Sequence, residues 1–143
     1  MALMPKKTRY RKVQKGRVGG RSKGARTLAF GEYGLVVTEP GRIDSRQIES
    51  IRITISRKLG KDGKMYIRMF PDKSVTKKPA ETRMGKGKGN PEQWVFVAKR
   101  GRVICEIGNM TKDQARDILR GAACKLPLRT RFVEKNQLLA MDI

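Results

Sequence analysis

The feature that most limits how this chain can fold is a cationic, glycine-rich segment that runs from Lys73 to Glu92. It lies between two runs with the apolar alternation of strands, Lys64–Phe70 and Gln93–Ala98. The segment has too little apolar surface to fold onto a core by itself, and unstructured loops beyond about 12–15 residues are usually functional or disordered. We therefore expect residues 73–92 to form a protruding loop suited to entering a polyanionic partner. A solvated surface loop is the alternative.

The charge of the whole chain favours a polyanionic partner. Lys and Arg number 34 against 13 Asp and Glu, so the net charge is +21. Small domains typically carry a net charge of about 2–8 in magnitude, and a larger excess is costly in self-repulsion unless a polyanion neutralises it. Aromatic residues make up only 6% of the chain, which argues against a sheet with rows of exposed rings for base stacking. We expect contacts with phosphates to dominate.

The N-terminal extension, residues 1–26 (the arm), concentrates this charge. It contains no acidic residue, and its glycines deny it a stable helix. We expect the arm to be disordered alone and to order on RNA, as arginine-rich segments do, with Tyr10 and Val13 as its anchors on the domain. A nuclear-localisation patch is the alternative. The candidate RNA-binding residues of the arm are Lys6, Lys7, Arg9, Arg11, Lys12, Lys15, Arg17, Arg21 and Lys23.

Residues 27–136 are expected to form the folded domain. Its expected elements are short strands within Thr27–Val37, a first helix, a hairpin turning at Lys99–Gly101, a helix over Lys112–Lys125 and a last strand over Arg129–Lys135. The first helix is expected to begin at Asp44 or Ser45, with Gln47 completing a capping box, and the second at a capping box of Thr111 and Gln114. Apolar residues recur on one face of the first helix, so its outer face is basic and offers Arg46 and Arg52 as further candidates for RNA contact.

The order of these elements predicts an α+β fold. We expect a mixed, mostly antiparallel sheet with two helices packed on one face, which leaves the other face and both extensions for a partner. Residues 137–143 are expected to form a loose C-terminal tail.

Enzymatic chemistry finds little support in the sequence. Histidine, the commonest general base and metal ligand, is absent, and the acids are scattered without a catalytic pair. The run Gly85–Asn90 lacks the Ser or Thr that follows Gly-Lys in a phosphate-binding loop. We predict no enzyme, metal, cofactor or small-molecule substrate, and no membrane span, because no apolar run is long enough. Cys105 and Cys124 are expected to be buried thiols in a reducing cytosol rather than a disulfide.

Several motifs together resemble one known family. They are PKKTRYRKVQKGR at Pro5–Arg17, FGEYGL at Phe30–Leu35, RQIE at Arg46–Glu49, IRMFPDK at Ile67–Lys73, RMGKGKGNPEQWV at Arg83–Val95 and KLPLRTRFV at Lys125–Val133. On these residues the chain resembles the bacterial L-sixteen proteins of the large ribosomal subunit, a universal family shared with the L-ten-e proteins of archaea and eukaryotes. The similarity covers nearly the whole chain, and it departs at Met1–Met4 and beyond Lys135.

The resemblance implies a structural constituent of the large subunit of the bacterial, cytoplasmic ribosome. Its implied partners are large-subunit ribosomal RNA (rRNA), transfer RNA (tRNA) and neighbouring ribosomal proteins. The stretch Arg83–Gly89 is implied to lie near the peptidyl-transferase region and to contact tRNA in the A site, with P-site tRNA as a second candidate. Some members carry a hydroxylated arginine at the position that matches Arg83. The implied tip residues are Arg83, Met84, Lys86 and Lys88.

Two other classes of protein remain as alternatives from the residues alone. One is a free-standing cationic protein that binds DNA or RNA as an architectural element. The other is a small enzyme acting on RNA, which would need a general base that the sequence does not offer.

Overall fold

The structure, a computed structural model, describes residues 3–135, and within this range the chain forms two antiparallel sheets and two helices. A four-stranded sheet has the order β3-β6-β1-β7, and a three-stranded sheet has the order β2-β5-β4. The elements are β1 (Tyr33–Val37), β2 (Gly41–Asp44), α1 (Ser45–Lys58), β3 (Lys64–Ile67), β4 (Lys73–Lys77), β5 (Asn90–Ala98), β6 (Val103–Gly108), α2 (Lys112–Ala123) and β7 (Thr130–Glu134). The predicted α+β class is confirmed.

Both helices begin at the capping boxes that the sequence predicts. The N–H of Asp44 donates to Oε1 of Gln47 at 2.9 Å at the start of α1, and Thr111 and Gln114 play the same parts for α2. Such boxes satisfy backbone N–H groups that have no partner inside the helix. Isoleucines then recur on one face of α1, and Ile48, Ile51 and Ile55 are buried. The two helices pack against each other and against both sheets.

One apolar core serves both sheets. It joins Leu35 of β1, Ile43 of β2, Phe96 of β5 and Ile104 of β6 to the buried faces of the two helices. The three-stranded sheet, from which the glycine-rich segment extends, therefore rests on the same packed core as the rest of the protein.

The division into two sheets differs from the single sheet that we expected. The predicted hairpin at Lys99–Gly101 is wrong, because β5 pairs with β2 and β4 while β6 pairs with β1 and β3. Gly101 has a φ of +81°, and its N–H donates to the carbonyl of Val37 at 2.8 Å. This turn sends the chain from one sheet to the other.

The limits of several elements also differ from expectation. Only one strand, β1, forms within Thr27–Val37, and the strand expected at Lys64–Phe70 ends at Ile67. Strand β2 was not expected, because its glycine and two charged residues hide the strand pattern. The predicted tail 137–143, residue 136 at the end of the expected domain and residues 1–2 of the arm lie outside the described residues.

The two cysteines do not share one environment. Cys105 is buried in β6, as expected, and burial raises the pKa of its thiol to about 12. Cys124 is exposed, so the expectation that it is buried is wrong. It caps the C-terminal end of α2, where the apolar face of the helix has already ended.

A fully buried carboxylate, Glu106 of β6, holds the segment before β1 onto the four-stranded sheet. Its Oε2 accepts the N–H groups of Ala29 at 3.1 Å, Phe30 at 2.7 Å and Gly31 at 2.8 Å. Its Oε1 forms an ion pair with the guanidinium of Arg68 at 2.7 Å. A Cβ on Gly31 would lie 2.6 Å from the carbonyl oxygen of Ile107, so only glycine allows the segment to approach this closely.

These partners determine the ionisation of Glu106. Burial by itself would raise the pKa of the carboxyl, but the N–H groups of Gly31, Phe30 and Ala29 and the guanidinium of Arg68 hold this pKa below its ordinary value. The carboxylate is therefore charged and fully partnered in the folded protein.

The face of the four-stranded sheet that carries Glu106 is covered in part by the chain itself. Leu28, just before the Glu106-bound segment, packs with Val36, Val103 and Val133 in a second apolar cluster. The expectation that the sheet face away from the helices is left free for a partner is therefore wrong for this part of the sheet.

We expect the Glu106→Gln variant to lose about 3–5 kcal/mol of unfolding free energy, because it leaves Arg68 without a counter-charge beside a buried site. Urea unfolding of the free protein would measure the loss. Glu49→Gln is the matched control, since Glu49 pairs with Arg52 on the exposed surface of α1 and should contribute little. Equal losses in the two variants would contradict a special role for the buried pair.

Glu106 should also contribute to acid unfolding. Its pKa is lowered in the folded state, so its stabilisation is fully present above the pKa of an unfolded glutamate, about 4.3. That stabilisation is lost as the pH falls through the lower folded value. We expect the unfolding free energy of the wild type to fall below about pH 5, and that of Glu106→Gln to fall less steeply. Parallel slopes would assign the acid sensitivity to other carboxyls.

Candidate nucleic-acid interface

The glycine-rich segment is ordered at its base and irregular at its tip. Strand β4 pairs with β5 from Lys73↔Val95 to Lys77↔Asn90, with an irregular register between Val75 and Thr76 where Pro91 enters the ladder. The protruding loop predicted for residues 73–92 is therefore shorter than expected, because its base continues the three-stranded sheet. We call the irregular part, residues 78–89, the tip loop.

The backbone of the tip loop depends on its glycines. Gly85, Lys86 and Gly87 have φ values of +97°, +55° and +90°, in the left-handed region that glycine adopts at little cost. Lys86 adopts it without that advantage, and such strain concentrates at functional sites. The ammonium group of Lys78 donates to the carbonyl of Gly85 and closes the loop across its width.

The predicted tip residues are all exposed. Arg83, Met84, Lys86 and Lys88 lie on the surface, and Met84 exposes 99% of its side chain. Exposing an apolar side chain to water at the end of a cationic loop is unfavourable in free energy, and burying it against a partner is favourable. The tip loop therefore presents positive charge around one unburied thioether.

The arm lies across the three-stranded sheet. Oγ of Ser74 in β4 donates to the carbonyl of Arg11 at 2.8 Å. On the opposite edge strand, β2, the guanidinium of Arg42 donates to the carbonyls of Lys15 and Gly16, both at 2.8 Å. These bonds hold the arm by its backbone and leave its cationic side chains to solvent. Tyr10, one of the two expected anchors, is 67% exposed, so that expectation is wrong for Tyr10. Val13, the other, is 41% exposed, and its carbonyl accepts a hydrogen bond from Lys88.

Two lysines link the arm to the tip loop. The ammonium group of Lys12 donates to the carbonyl of Lys88 at 2.8 Å, and that of Lys88 donates to the carbonyl of Val13 at 2.7 Å. Each lysine thus binds the backbone of the other segment, which brings two cationic segments, distant in sequence, into one continuous surface. We call this surface the arm–loop surface.

The lysines and arginines of residues 6–23 and 83–88, which carry most of the charge of the arm–loop surface, have no acidic partners among the described residues. No ion pair between residues of the range 3–135 includes a lysine or arginine of residues 6–23 or 83–88. All the predicted basic residues of the arm are exposed. A surface of this kind has a high affinity for a phosphate backbone, because binding releases counterions.

Comparisons with known proteins agree with this geometry. The model of the family described as ribosomal protein L16p/L10e matches residues 5–133. The chain belongs to this family. Similar curated proteins include the large ribosomal subunit protein uL16 of Chlamydia trachomatis serovar D, 58% identical over 133 residues that cover 93% of this chain and 96% of the relative. The proteins of the same name from Chlamydia felis and Chlamydia pneumoniae are 57% and 56% identical over the same shares of both chains.

Membership of the L16p/L10e family confirms the resemblance found in the sequence motifs. It makes the chain a structural component of a ribosome rather than an enzyme. In the described part of the chain, no group of three or more His, Cys, Asp or Glu side chains is placed to hold a metal ion. Over the same residues, no helix is long and apolar enough to cross a membrane.

The predicted residues of α1 stand apart from the arm–loop surface. Arg46 and Arg52 are exposed, but Arg52 donates to Glu49 one turn earlier on the helix, with an N–O distance of 2.6 Å. This carboxylate raises the pKa of Arg52 and neutralises part of its charge. Arg52 is therefore a weaker candidate for phosphate contact than the basic residues of 6–23, which form no ion pair among the described residues.

Three residues that shape the interface were missed in the sequence. Ser74 and Arg42 position the arm, and Arg68 reaches the buried carboxylate. Nothing local distinguishes Ser74 from any other strand serine. Arg42 and Arg68 are basic residues in a chain rich in them, so composition and spacing gave no signal of their contacts with the arm and with Glu106.

Proposed function

We propose that the chain, as a structural constituent of the large ribosomal subunit, binds large-subunit rRNA through the arm and the basic face of α1. We further propose that the stretch Arg83–Gly89 lies near the peptidyl-transferase region and contacts tRNA in the A site, with P-site tRNA as a second candidate. Neighbouring ribosomal proteins are its other partners. Its location is the ribosome of the bacterial cytoplasm, where the similar uL16 proteins act as large-subunit proteins.

The observation that carries the rRNA contact is the exposed charge of residues 6–23, whose lysines and arginines form no ion pair with an acidic side chain among the described residues. The arm is fixed to β2 and β4 through its own carbonyls, so these contacts leave the basic side chains of residues 6–23 exposed. A net charge of +21 without a bound polyanion would be self-repelling. An rRNA backbone along the arm neutralises this charge where it is densest.

The tRNA contact rests on the form of the tip loop and on the family. The loop extends from a strand pair that shares the protein's core, so its base is rigid, while its glycines allow a backbone close to a ligand. Met84 and the basic residues beside it are exposed to solvent. They are suited to a narrow RNA-lined cavity rather than to a broad duplex surface.

The alternative function is that of a free-standing architectural protein that binds nucleic acid, and an experiment must distinguish it from a ribosomal constituent. Such a protein would bind isolated duplexes and leave the large subunit in a sucrose gradient. We expect this chain instead to co-sediment with large subunits at physiological salt. Sedimentation at the top of the gradient, with undiminished binding to duplex RNA, would favour the rival.

Neutralising part of the arm should flatten the salt dependence of rRNA binding. Each lost phosphate contact changes the log–log slope by roughly 0.7–0.9, so replacing Lys6, Lys7 and Arg9 by Gln should reduce it by about 2–3. A variant with the same charge change outside the arm and α1, Lys61, Lys64 and Lys125 to Gln, is the matched control, since all three residues are exposed. Binding to large-subunit rRNA at several salt concentrations measures both slopes. An unchanged slope in the arm variant would show that its charge is merely solvated.

Removing the charges of the tip should weaken tRNA binding and spare assembly. We expect the double variant Arg83→Ala, Lys86→Ala to keep the wild-type melting temperature and to enter large subunits normally, because neither side chain contacts the core. Its subunits should bind A-site tRNA more weakly, since two charges near a phosphate backbone are lost. Lys61→Ala, Lys99→Ala serves as the charge-matched control. Failure to enter subunits, with normal tRNA affinity in the remaining particles, would make the loop an assembly anchor instead.

A further inference from the structure

Three side chains form a stack beside the edge strand of the four-stranded sheet. The rings of Phe30 and Tyr66 lie with centroids 5.4 Å apart and planes inclined by 25°. The guanidinium carbon of Arg68 lies 5.5 Å from the centroid of the Phe30 ring. Tyr66 and Arg68 are two residues apart on the same chain segment, so they lie on the same side and Phe30 lies against both.

The buried carboxylate of Glu106 holds the stack in place. The N–H of Phe30 donates to Glu106 at 2.7 Å, and Tyr66 is the register partner of Glu106 in the sheet. The guanidinium of Arg68 binds both Glu106 and the carbonyl of Thr27, each at 2.7 Å. The backbone under Phe30 therefore has little freedom, and its ring is presented in one orientation.

Phe30 is nevertheless exposed. The residue is 63% exposed, although its ring rests on Tyr66 and has the guanidinium of Arg68 beside it. A ring covered on both faces could not remain so open, so one face is free. If Phe30 served only to shield the Arg68–Glu106 pair from water, burial of the ring would serve better, because exposed aromatic surface is unfavourable in water. The free face is available for a ligand.

We infer that the free face of Phe30 is a stacking site for one unpaired base of rRNA. The inference rests on the proposed rRNA binding. An aromatic face next to a planar guanidinium matches a nucleobase attached to a phosphate, and single-stranded bases commonly stack on Phe, Tyr or Arg planes. An apolar protein partner would match Phe30 but not Arg68 or the +21 charge of the chain. Composition led us to expect phosphate contacts without stacking, and this stack provides one local exception.

The first experiment compares the variant Phe30→Leu with the variant Phe30→Trp. Leu keeps an apolar cover over the ion pair but removes the aromatic face, whereas Trp keeps that face. On large subunits stripped of this protein by high salt, we expect Phe30→Leu to bind about 5- to 150-fold more weakly and Phe30→Trp to bind as the wild type. The slope of affinity against salt should be unchanged, because stacking releases no counterions. Equal melting temperatures establish that both variants are folded.

The second experiment uses the wild-type protein and does not depend on any variant. Ultraviolet irradiation of the reconstituted particle should yield a nucleotide adduct on Phe30, within the tryptic peptide Thr27–Arg42. Wild-type affinity in Phe30→Leu, or an adduct-free Phe30 in particles that contain the protein, would overturn the stacking site while leaving the proposed rRNA binding intact. Failure of the wild type to bind stripped subunits at all would overturn both.

Discussion

The contact on which the rest of the structure depends is the one between Glu106 and the backbone of residues 29–31. One buried carboxylate accepts the N–H groups of Ala29, Phe30 and Gly31 and pairs with Arg68. Without it these donors would lie near a buried site with no partner, at a cost of about 1–3 kcal/mol for each unsatisfied group. The contact fixes the point where the chain leaves the arm and enters β1.

From this point the arm follows the body back to the three-stranded sheet. The N–H of Val103 donates to the carbonyl of Ala25, and that of Ser22 donates to the carbonyl of Arg100, both at 2.8 Å. The turn that sends the chain between the two sheets thus also supports the end of the arm. Further on, β2 and β4 hold the arm beside the tip loop. A single path of backbone contacts connects the buried carboxylate to the cationic surface.

The sequence predicted what depends on neighbouring residues. The helices followed from the capping boxes at Asp44 and Thr111 and from the isoleucine spacing of α1, and the exposed tip followed from its glycines and charge. It did not reveal contacts between distant residues. Glu106 binds a segment 76 residues away in sequence, and an isolated acid gives no sign of such a partner. The separation of β5 from β6 depends on which strands each joins, and the turn between them looks like that of a hairpin.

The hydrogen bonds of Lys12 and Lys88 couple the arm to the tip loop. Since Lys12 donates to the carbonyl of Lys88 and Lys88 donates to the carbonyl of Val13, a ligand that immobilises one segment reduces the conformational freedom of the other. The second segment then loses less conformational entropy when it binds its own ligand, because part of its freedom is already lost. Each binding event therefore favours the other. Thermodynamic linkage makes this coupling reciprocal. If the arm binds rRNA as proposed, that binding would strengthen a contact at the tip loop, and a ligand at the tip loop would increase the affinity of the arm by the same factor.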